Sequence, residues 1–414
     1  GVSQVLHSHY FLARSTRVLR EEAPDVLDAM ARVGIGPSEV RFGDGMEDDR
    51  ALVARRPVWE ATLRGAATAE PGVTCVAGSV RGFVVDPGDP SRVIGVRVRG
   101  DDGTEEELVG DLVVDAAGRR SGAARWLAEV GLAPPVVEEH ACELHYVCRH
   151  FRLRDGVEPP STAVPNVQPL PYATLLVFLG DNRTYSVATA VSAHDPLRRA
   201  VQDPDALERV WRAVPMTAAW VEAGEPIGDA RVMAGLSNRW RRIEANGQAS
   251  ATGLVLVGDS ALYTNPARGQ GVSLTTWMAQ RLAADLDRAT DDPAAVTAAH
   301  QAWVADELVP RWRGQVRDDL RATRQLRAGV DGAGFLPPQD EDGARDLASM
   351  VLGMQDEEFL LRARRVGHLL APPSSLEDPA TLARLDAIAA NLPPGPPGGV
   401  PLGRDEFEAL VGAG

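Results

Sequence analysis

The sequence contains no lysine, and all 43 of its basic residues are arginines. A chain without lysine cannot form a Schiff base with a carbonyl substrate and cannot use an ammonium group as a general acid. Cysteine is also scarce: Cys75, Cys142 and Cys148 form no Cys-x-x-Cys pair, and an odd number does not make a disulfide framework. We therefore expect a protein of a reducing, cytoplasmic compartment.

Long apolar runs and positive charge are missing as well. No uncharged apolar segment approaches the length of about 18 residues that a membrane helix needs, and no charged-then-apolar leader opens the sequence. The net charge is -15, which would repel both nucleic-acid phosphates and anionic lipids. The sequence therefore predicts no membrane span and no nucleic-acid partner.

The remaining composition is that of an ordinary globular protein. Apolar residues make up 44% of the 414 positions, which predicts two or three domains, or one large α/β unit with an insertion. Changes in hydrophobic period divide the chain into five parts. They are residues 1–135 and 246–290 as two parts of one α/β domain, 136–245 as a strand-rich second domain, 291–391 as a helical region, and 392–414 as a Pro/Gly-rich, poorly ordered tail.

Periodicity predicts individual elements within these parts. Predicted helices begin near Phe11 and cover Pro57–Ala67, Pro204–Arg212, Val272–Thr290, Ala294–Gly329 with a kink at Pro310, Ala344–Leu370 and Pro379–Asn391. Predicted strands are Val73–Val80, a meander of Arg81–Val85, Val93–Val98 and Glu106–Val109, a buried strand at Asp111–Ala116, then Leu144–Leu153, Thr174–Leu179, Tyr185–Val191 and a buried strand at Gly253–Asp259.

The most informative segment runs from Val257 to Val272, where a buried strand ends in Gly-Asp and Gly-Gln-Gly opens a helix. Asp259 at the end of the strand can accept hydrogen bonds from sugar-like hydroxyls. Pro266 stiffens the loop, while Gly269 and Gly271 let the backbone approach a flat ligand closely. Because the helix N-terminus presents free N–H groups, it suits a ring that carries negative charge, as a reduced flavin does.

This segment resembles the second FAD fingerprint of the class A flavoprotein monooxygenases, the para-hydroxybenzoate hydroxylase type. Asp111–Ser121 resembles the middle motif of that family, Ala54–Arg64 resembles its arginine-bearing helix, and Gln4–Arg14 resembles the segment after its first βαβ unit. The resemblance implies a set of FAD-contacting residues and no catalytic side chain, because the flavin carries the chemistry. That set is Arg14, Arg56, Asp259, Pro266, Gly269, Gln270 and Gly271.

The resemblance also implies a fold and an activity. The fold would be α/β, with an FAD-binding Rossmann-like domain of the glutathione-reductase type, an inserted mixed β-sheet substrate domain, and C-terminal helices. The activity would be hydroxylation or epoxidation of a small apolar or aromatic molecule by molecular oxygen. The alternatives are an FAD-dependent dehydrogenase or reductase of isoprenoid-like substrates, and a degenerate remnant without FAD.

Two features depart from the family pattern, and the absence of lysine separates its subclasses. No Gly-x-Gly-x-x-Gly turn follows an N-terminal strand, so we expect a fold that lacks its first βαβ unit, most simply by truncation. Ala117 stands where the family's middle motif has Asp, which places NAD(P)H as the direct electron donor in doubt and leaves a separate flavin reductase as another source. Related halogenases use a lysine, so the absence of lysine disfavours halogenation.

Histidines and aromatic residues of the second domain are weaker candidates. His7 and His9 lack further ligands nearby and so do not predict a metal site. Alternation along Leu144–Leu153 puts His145 on one face and Tyr146 on the other, and the sequence leaves open which face meets a substrate. Packing roles are expected for Trp211, Trp220 and Trp240.

Overall fold

The computed structural model describes residues 4–161, 166–245, 248–289, 292–392, 395 and 399–412. The α-helices, in chain order, are α1 Ala13–Glu22, α2 Pro24–Arg32, α3 Arg56–Ala69, α4 Ala123–Glu129, α5 Pro204–Ala213, α6 Pro215–Ala223, α7 Gly271–Arg288, α8 Pro293–Trp303, α9 Val309–Val330, α10 Glu341–Gln355, α11 Glu357–Gly367, α12 Pro379–Ala389 and α13 Arg404–Gly412. The strands are β1 Gly36–Pro37, β2 Leu52–Val53, β3 Ser79–Val85, β4 Val93–Arg99, β5 Glu105–Val109, β6 Val113–Asp115, β7 Val136–Cys142, β8 Leu144–Leu153, β9 Asn166–Pro169, β10 Ala173–Leu179, β11 Thr184–Ser192, β12 Gly224–Met233, β13 Leu236–Arg242, β14 Glu244–Ala245, β15 Gln248–Ala249, β16 Leu254–Leu256 and β17 Leu262–Tyr263.

Spatial proximity groups these elements into two units. The first unit contains residues 1–63, 142–236 and 318–414, and the second contains 64–141 and 237–317. The cuts after residues 141 and 236 lie close to the expected boundaries after 135 and 245, but residues 1–63 group with the strand-rich part of the chain. The expected domain boundaries therefore stay a prediction.

A five-stranded antiparallel sheet, ordered β12-β8-β11-β10-β9, forms the centre of the first unit. The hairpin between β10 and β11 turns at Asn182 and Arg183, whose φ angles of 50° and 60° match the left-handed pair that a tight hairpin requires. Directly opposed residues share a face, so the register Cys148↔Ala188 and Val147↔Thr189 fixes two faces of different character.

One face of this sheet is the apolar core of the first unit. Val147, Phe151 and Val187 on the strands pack with Trp211 of α5 and Trp220 of α6, all of them at least 99% buried. Burying side chains of this size stabilises the fold by about 1.5–3 kcal/mol each. The expected packing roles of Trp211 and Trp220 are met, and Trp240, in the second unit, is buried as well.

The N-terminal helix α1 is fastened to the segment that follows α11. The His368 ring accepts a hydrogen bond from the Ala13 amide at 3.3 Å, and the Arg14 guanidinium donates to the Leu369 carbonyl at 2.7 Å. Leu369 adopts a φ of 60°, an uncommon conformation for leucine, and is buried. Tertiary contacts therefore hold this turn in place.

The second unit combines a three-stranded meander, β3-β4-β5, with a short parallel pair, β6 and β16. The meander confirms the predicted antiparallel group. Helix α7 follows β16 in the chain. A π-helical turn at Val304–Leu308 separates α8 from α9, and α9 begins at Val309, one residue before Pro310, where the kink was expected.

Several predicted elements differ from the structure. Val73–Gly78 is not a strand: Val73 and Val76 are each 50% exposed, and an extended segment without a partner is not stable alone. Val114 in β6 is 45% exposed rather than buried. The single helix expected over 344–370 breaks at Asp356, whose carboxylate caps the Phe359 amide at 3.0 Å and starts α11.

The predicted tail contains a helix that the sequence analysis missed. Of the Pro/Gly-rich stretch, Pro393, Pro394 and 396–398 lie outside the described residues. Beyond it, α13 packs on α5 through the fully buried Phe407, and the Tyr172 hydroxyl donates to the Leu402 carbonyl at 2.9 Å. The sequence analysis judged 392–414 by its average composition, which is rich in Pro and Gly, and so missed the short amphipathic helix at its end.

Candidate functional site

The carboxyl ends of β6 and β16 bring two of the sequence motifs together in the second unit. These strands pair in parallel, with Asp115 opposite Leu256. The Asp115 carboxylate accepts hydrogen bonds from the Ala117 amide at 2.9 Å and from the Ser121 hydroxyl, while the Ser260 hydroxyl donates to the Asp115 carbonyl. Because ligands of open α/β sheets bind outside the carboxyl ends of parallel strands, this edge is the candidate site.

Glycines shape the backbone at this edge. Gly118 and Gly258 have φ angles of 76° and 65°, which residues with side chains rarely adopt. A Cβ on Gly118 would lie 3.9 Å from Cβ of Asp259, and one on Gly258 would lie 2.9 Å from the Thr275 hydroxyl. The middle motif and the Gly-Asp motif are therefore packed against each other at a close approach.

The Gly-Gln-Gly corner forms the start of α7, as predicted. Pro266 opens a 3₁₀ turn that ends at Gly269 with a φ of 63°, and Gly271 is the first residue of the helix. The N-cap residue Gln270 makes no side-chain capping hydrogen bond, and the start of a helix presents N–H groups that have no partner within the helix. The Gln270 side chain is 96% buried, and its Oε1 atom has no hydrogen-bond partner among the described residues.

Residues that the sequence analysis did not single out support this corner. The Asn238 side chain accepts a hydrogen bond from the Asn265 amide at 2.8 Å, and the Trp312 indole donates to the Tyr263 carbonyl at 3.3 Å. Arg241 donates to the Ser260 carbonyl at 3.2 Å, and burial lowers the pKa of its guanidinium. Only the tertiary fold brings these residues to the loop, since no local pattern marks them.

Two other predicted FAD contacts, Arg14 and Arg56, lie in the first unit. Arg14 donates to the Leu369 carbonyl, and Arg56 forms a 2.6 Å ion pair with Glu60 one helical turn away. Both guanidinium groups thus have partners within their own unit, and their contact with FAD stays a prediction.

The second face of the five-stranded sheet is polar where the first is apolar. Tyr146, Cys148 and His150 share this face with Ser186 and Ala188, and with Leu176 and Phe178 on β10. Val147 and Phe151, by contrast, fill the core. Of the two faces that the sequence left open, the face of Tyr146 and Cys148 is therefore the one outside the apolar core.

Residues 7–9 lie across this second face. The Cys148 thiol and the His7 Nδ1 atom are 3.4 Å apart, and the Ser8 and Ser186 hydroxyls are 2.7 Å apart. Burial lowers the pKa of His7 and raises the pKa of the Cys148 thiol. The pair is therefore a neutral thiol and a neutral imidazole, not an activated thiolate.

The described residues contain no group of three or more His, Cys, Asp or Glu side chains arranged to hold a metal ion. Within the same part of the chain, no helix combines the length and apolarity required to cross a bilayer.

The fold is similar to that of several solved structures of flavin-dependent proteins. Similar structures include the flavin-dependent brominase Bmp2 (TM-score 0.56, 16% identity, 92% of this chain and 88% of that one). They also include HpxO of Klebsiella pneumoniae complexed with FAD and uric acid (0.59, 15%, 88% and 88%) and the OxyS anhydrotetracycline hydroxylase of Streptomyces rimosus (0.58, 16%, 89% and 69%). The expected α/β fold class is confirmed, whereas the expected lack of a first βαβ unit stays a prediction.

Sequence comparison adds little beyond the fold. Protein Rv3254 of Mycobacterium tuberculosis is 27% identical over 304 residues, which cover 68% of this chain and 63% of that protein. The match therefore spans less than two thirds of the relative's length. No protein-family model matches the chain.

Proposed function

We propose that this protein is an FAD-dependent monooxygenase that hydroxylates or epoxidises a small apolar or aromatic molecule with molecular oxygen. The observation that carries the proposal is the start of α7 at the carboxyl edge of β6 and β16, where Oε1 of the buried N-cap residue Gln270 has no hydrogen-bond partner among the described residues. A buried acceptor without a partner costs about 1–3 kcal/mol, so its presence favours a ligand that donates to it.

The residues present at this edge fit FAD. Asp259 lies three residues after the end of β16 and is half-buried, which suits a carboxylate that accepts hydrogen bonds from the hydroxyl chain of the cofactor. The N–H groups around Gly271 would stabilise negative charge on the reduced ring. Bound FAD would supply the redox chemistry, and the protein would hold the ring and keep water from it.

Uncharged ring compounds are the substrate class we favour. One similar structure is a flavin-dependent brominase, and another is a complex with FAD and uric acid. A third is an anhydrotetracycline hydroxylase. Hydroxylation is preferred to halogenation here because the family resemblance assigns a lysine to halogenases and this chain has none. Ala117 favours a separate flavin reductase over NAD(P)H as the direct electron donor.

FAD titration of the flavin-free protein, followed by visible absorption, tests the cofactor site. We expect Gly269→Val to weaken FAD binding at least tenfold, since a β-branched side chain is strained at a φ of 63° and would stand beside the ring. Gly131→Val is the matched control, because Gly131 has a φ of 81°, lies in the same unit and has open space around it. If the two variants bound FAD with equal affinity, the proposal that FAD binds at the Gly-Gln-Gly corner would be wrong.

A second experiment tests the reaction. The flavin is reduced anaerobically with dithionite, and ring compounds are added together with isotopically labelled dioxygen. The proposal expects labelled oxygen in the product. Oxidation of a substrate without label would instead identify a dehydrogenase, and a protein that takes up no FAD would identify a remnant.

A further inference from the structure

The second face of the five-stranded sheet concentrates polar side chains that the proposed flavin chemistry does not use. His7, Ser8 and His9 cross it, and His150 projects from the same face of β8 as Cys148. The face of an antiparallel sheet that lies outside the core is commonly polar and solvated, but here residues 7–9 cover part of it, and Cys148 is buried. A partly buried polar group beside apolar neighbours such as Leu176 and Phe178 is the usual composition of a small-molecule site.

Hydrogen bonds fix the orientation of His9. Its Nδ1 atom lies 2.9 Å from the His7 carbonyl oxygen, and because a carbonyl can only accept, Nδ1 carries the proton. The Nε2 atom of the neutral ring is therefore an acceptor. The His150 ring has no hydrogen bond to any described residue, so both of its nitrogens can serve a ligand.

Charged groups around these rings keep them neutral. Burial is the main cause that lowers the pKa of His9 to about 3, and the charge of Arg56 adds to it. Burial is also the main cause that lowers the pKa of His150 to about 4, with smaller contributions from Arg55 and His7. Asp181 acts in the opposite direction on His150 but is occupied by Arg55, with Nη2 of Arg55 2.7 Å from Oδ1 of Asp181.

Two further charges complete the surroundings. Glu60 pairs with Arg56, and Arg231 on β12 stands opposite Cys148, where it lowers the pKa of His7. Because none of the imidazoles carries a charge near neutral pH, each offers an acceptor nitrogen that a hydroxyl can satisfy and a carboxylate cannot.

We propose that His9 and His150 are specificity-determining residues that accept hydrogen bonds from a hydroxyl group on an uncharged ring substrate. The proposal rests on the function proposed above, since it assumes that the second face of the sheet binds the substrate. It adds the substrate class: a hydroxylated ring is favoured over its carboxylate analogue.

Binding of three probes tests the proposal by calorimetry: 2-naphthol, its methyl ether and 2-naphthoate. We expect 2-naphthol to bind at least tenfold more tightly than the ether, which lacks the donated proton. Between about pH 6 and pH 8 its affinity should stay constant, because both rings remain neutral throughout. The affinity for 2-naphthoate should fall about tenfold for each unit of rising pH, because its binding requires a ring to take up a proton.

Variants locate the effect. His150→Phe should weaken 2-naphthol binding about tenfold, and His150→Gln should restore part of the loss by returning a hydrogen-bonding group. His145→Phe is the control, since His145 lies on the same strand but on the opposite face. His9→Phe serves as an independent second variant if His150→Phe does not fold.

The outcomes separate this proposal from the cofactor assignment because calorimetry needs no flavin turnover. Tight, pH-independent binding of 2-naphthoate, or an equal loss in His145→Phe and His150→Phe, would overturn the hydroxyl preference while leaving FAD binding intact. Loss of FAD binding with normal 2-naphthol binding would instead contradict the proposed function alone.

Discussion

Gln270→Met should make the flavin-free protein more stable and its hold on FAD weaker. The Gln270 side chain is buried and its Oε1 atom lacks a partner among the described residues, so the protein bears an uncompensated desolvation cost of about 1–3 kcal/mol. Methionine has a similar shape without that acceptor. We expect a gain of about 1 kcal/mol in the free energy of unfolding and a roughly tenfold loss of FAD affinity, the value of one hydrogen bond.

Urea unfolding of the flavin-free protein and FAD titration measure the two effects. Gln301→Met is the matched control, because Oε1 of Gln301 does have a partner, the amide of the buried Ile243 at 3.1 Å. That variant should lose about 1–3 kcal/mol of stability and leave FAD affinity unchanged. If Gln270→Met were destabilised like Gln301→Met, or bound FAD as tightly as the parent protein, Gln270 would have no role toward the cofactor.

Three more predictions concern stability. Asp181→Ala should cost about 3–5 kcal/mol in urea unfolding, because it leaves the partly buried Arg55 without its carboxylate; a cost below 1 kcal/mol would contradict the pairing. Burial raises the pKa of Asp49, but hydrogen bonds from Arg17 and Arg20 outweigh it and the net pKa is lowered; the resulting stability is present above about pH 4 and lost at lower pH, so Asp49→Asn should flatten the acid limb of unfolding. Phe407→Ala should cost about 3–5 kcal/mol, whereas removal of an ordered but unpacked tail would cost nothing.

Local determinants explain which parts of the molecule the sequence could predict. The strand at 254–256, the turn at Pro266 and the helix from Gly271 depend on residues a few positions apart, so their order along the chain was sufficient. The same holds for the meander, whose turns are marked by Asp-Pro-Gly-Asp-Pro and Asp-Asp-Gly.

Long-range contacts explain what the sequence could not predict. The hydrogen bonds between His7 and Cys148 and between Ser8 and Ser186 join residues more than 140 positions apart. Nothing near His7 in the chain distinguishes a surface histidine from one that crosses a sheet. The break at Asp356 was missed for a different reason. The capping carboxylate ends one helix and starts the next, while the spacing of apolar residues continues across the break.

The two proposed sites share a physical signature that sequence periodicity does not carry. In a stable fold, buried polar atoms are nearly always hydrogen-bonded, so an unpartnered one is either a defect or a place kept for a ligand. The Oε1 atom of Gln270 in the second unit is such an atom, and the half-buried His150 ring in the first unit has no hydrogen bond to a described residue. If the unpartnered atom is a defect, replacing its residue by an apolar one of similar shape should stabilise the protein and leave ligand affinity unchanged. A ligand site would gain stability from that replacement and lose affinity, so the sign of these two changes, measured on one variant, separates the explanations.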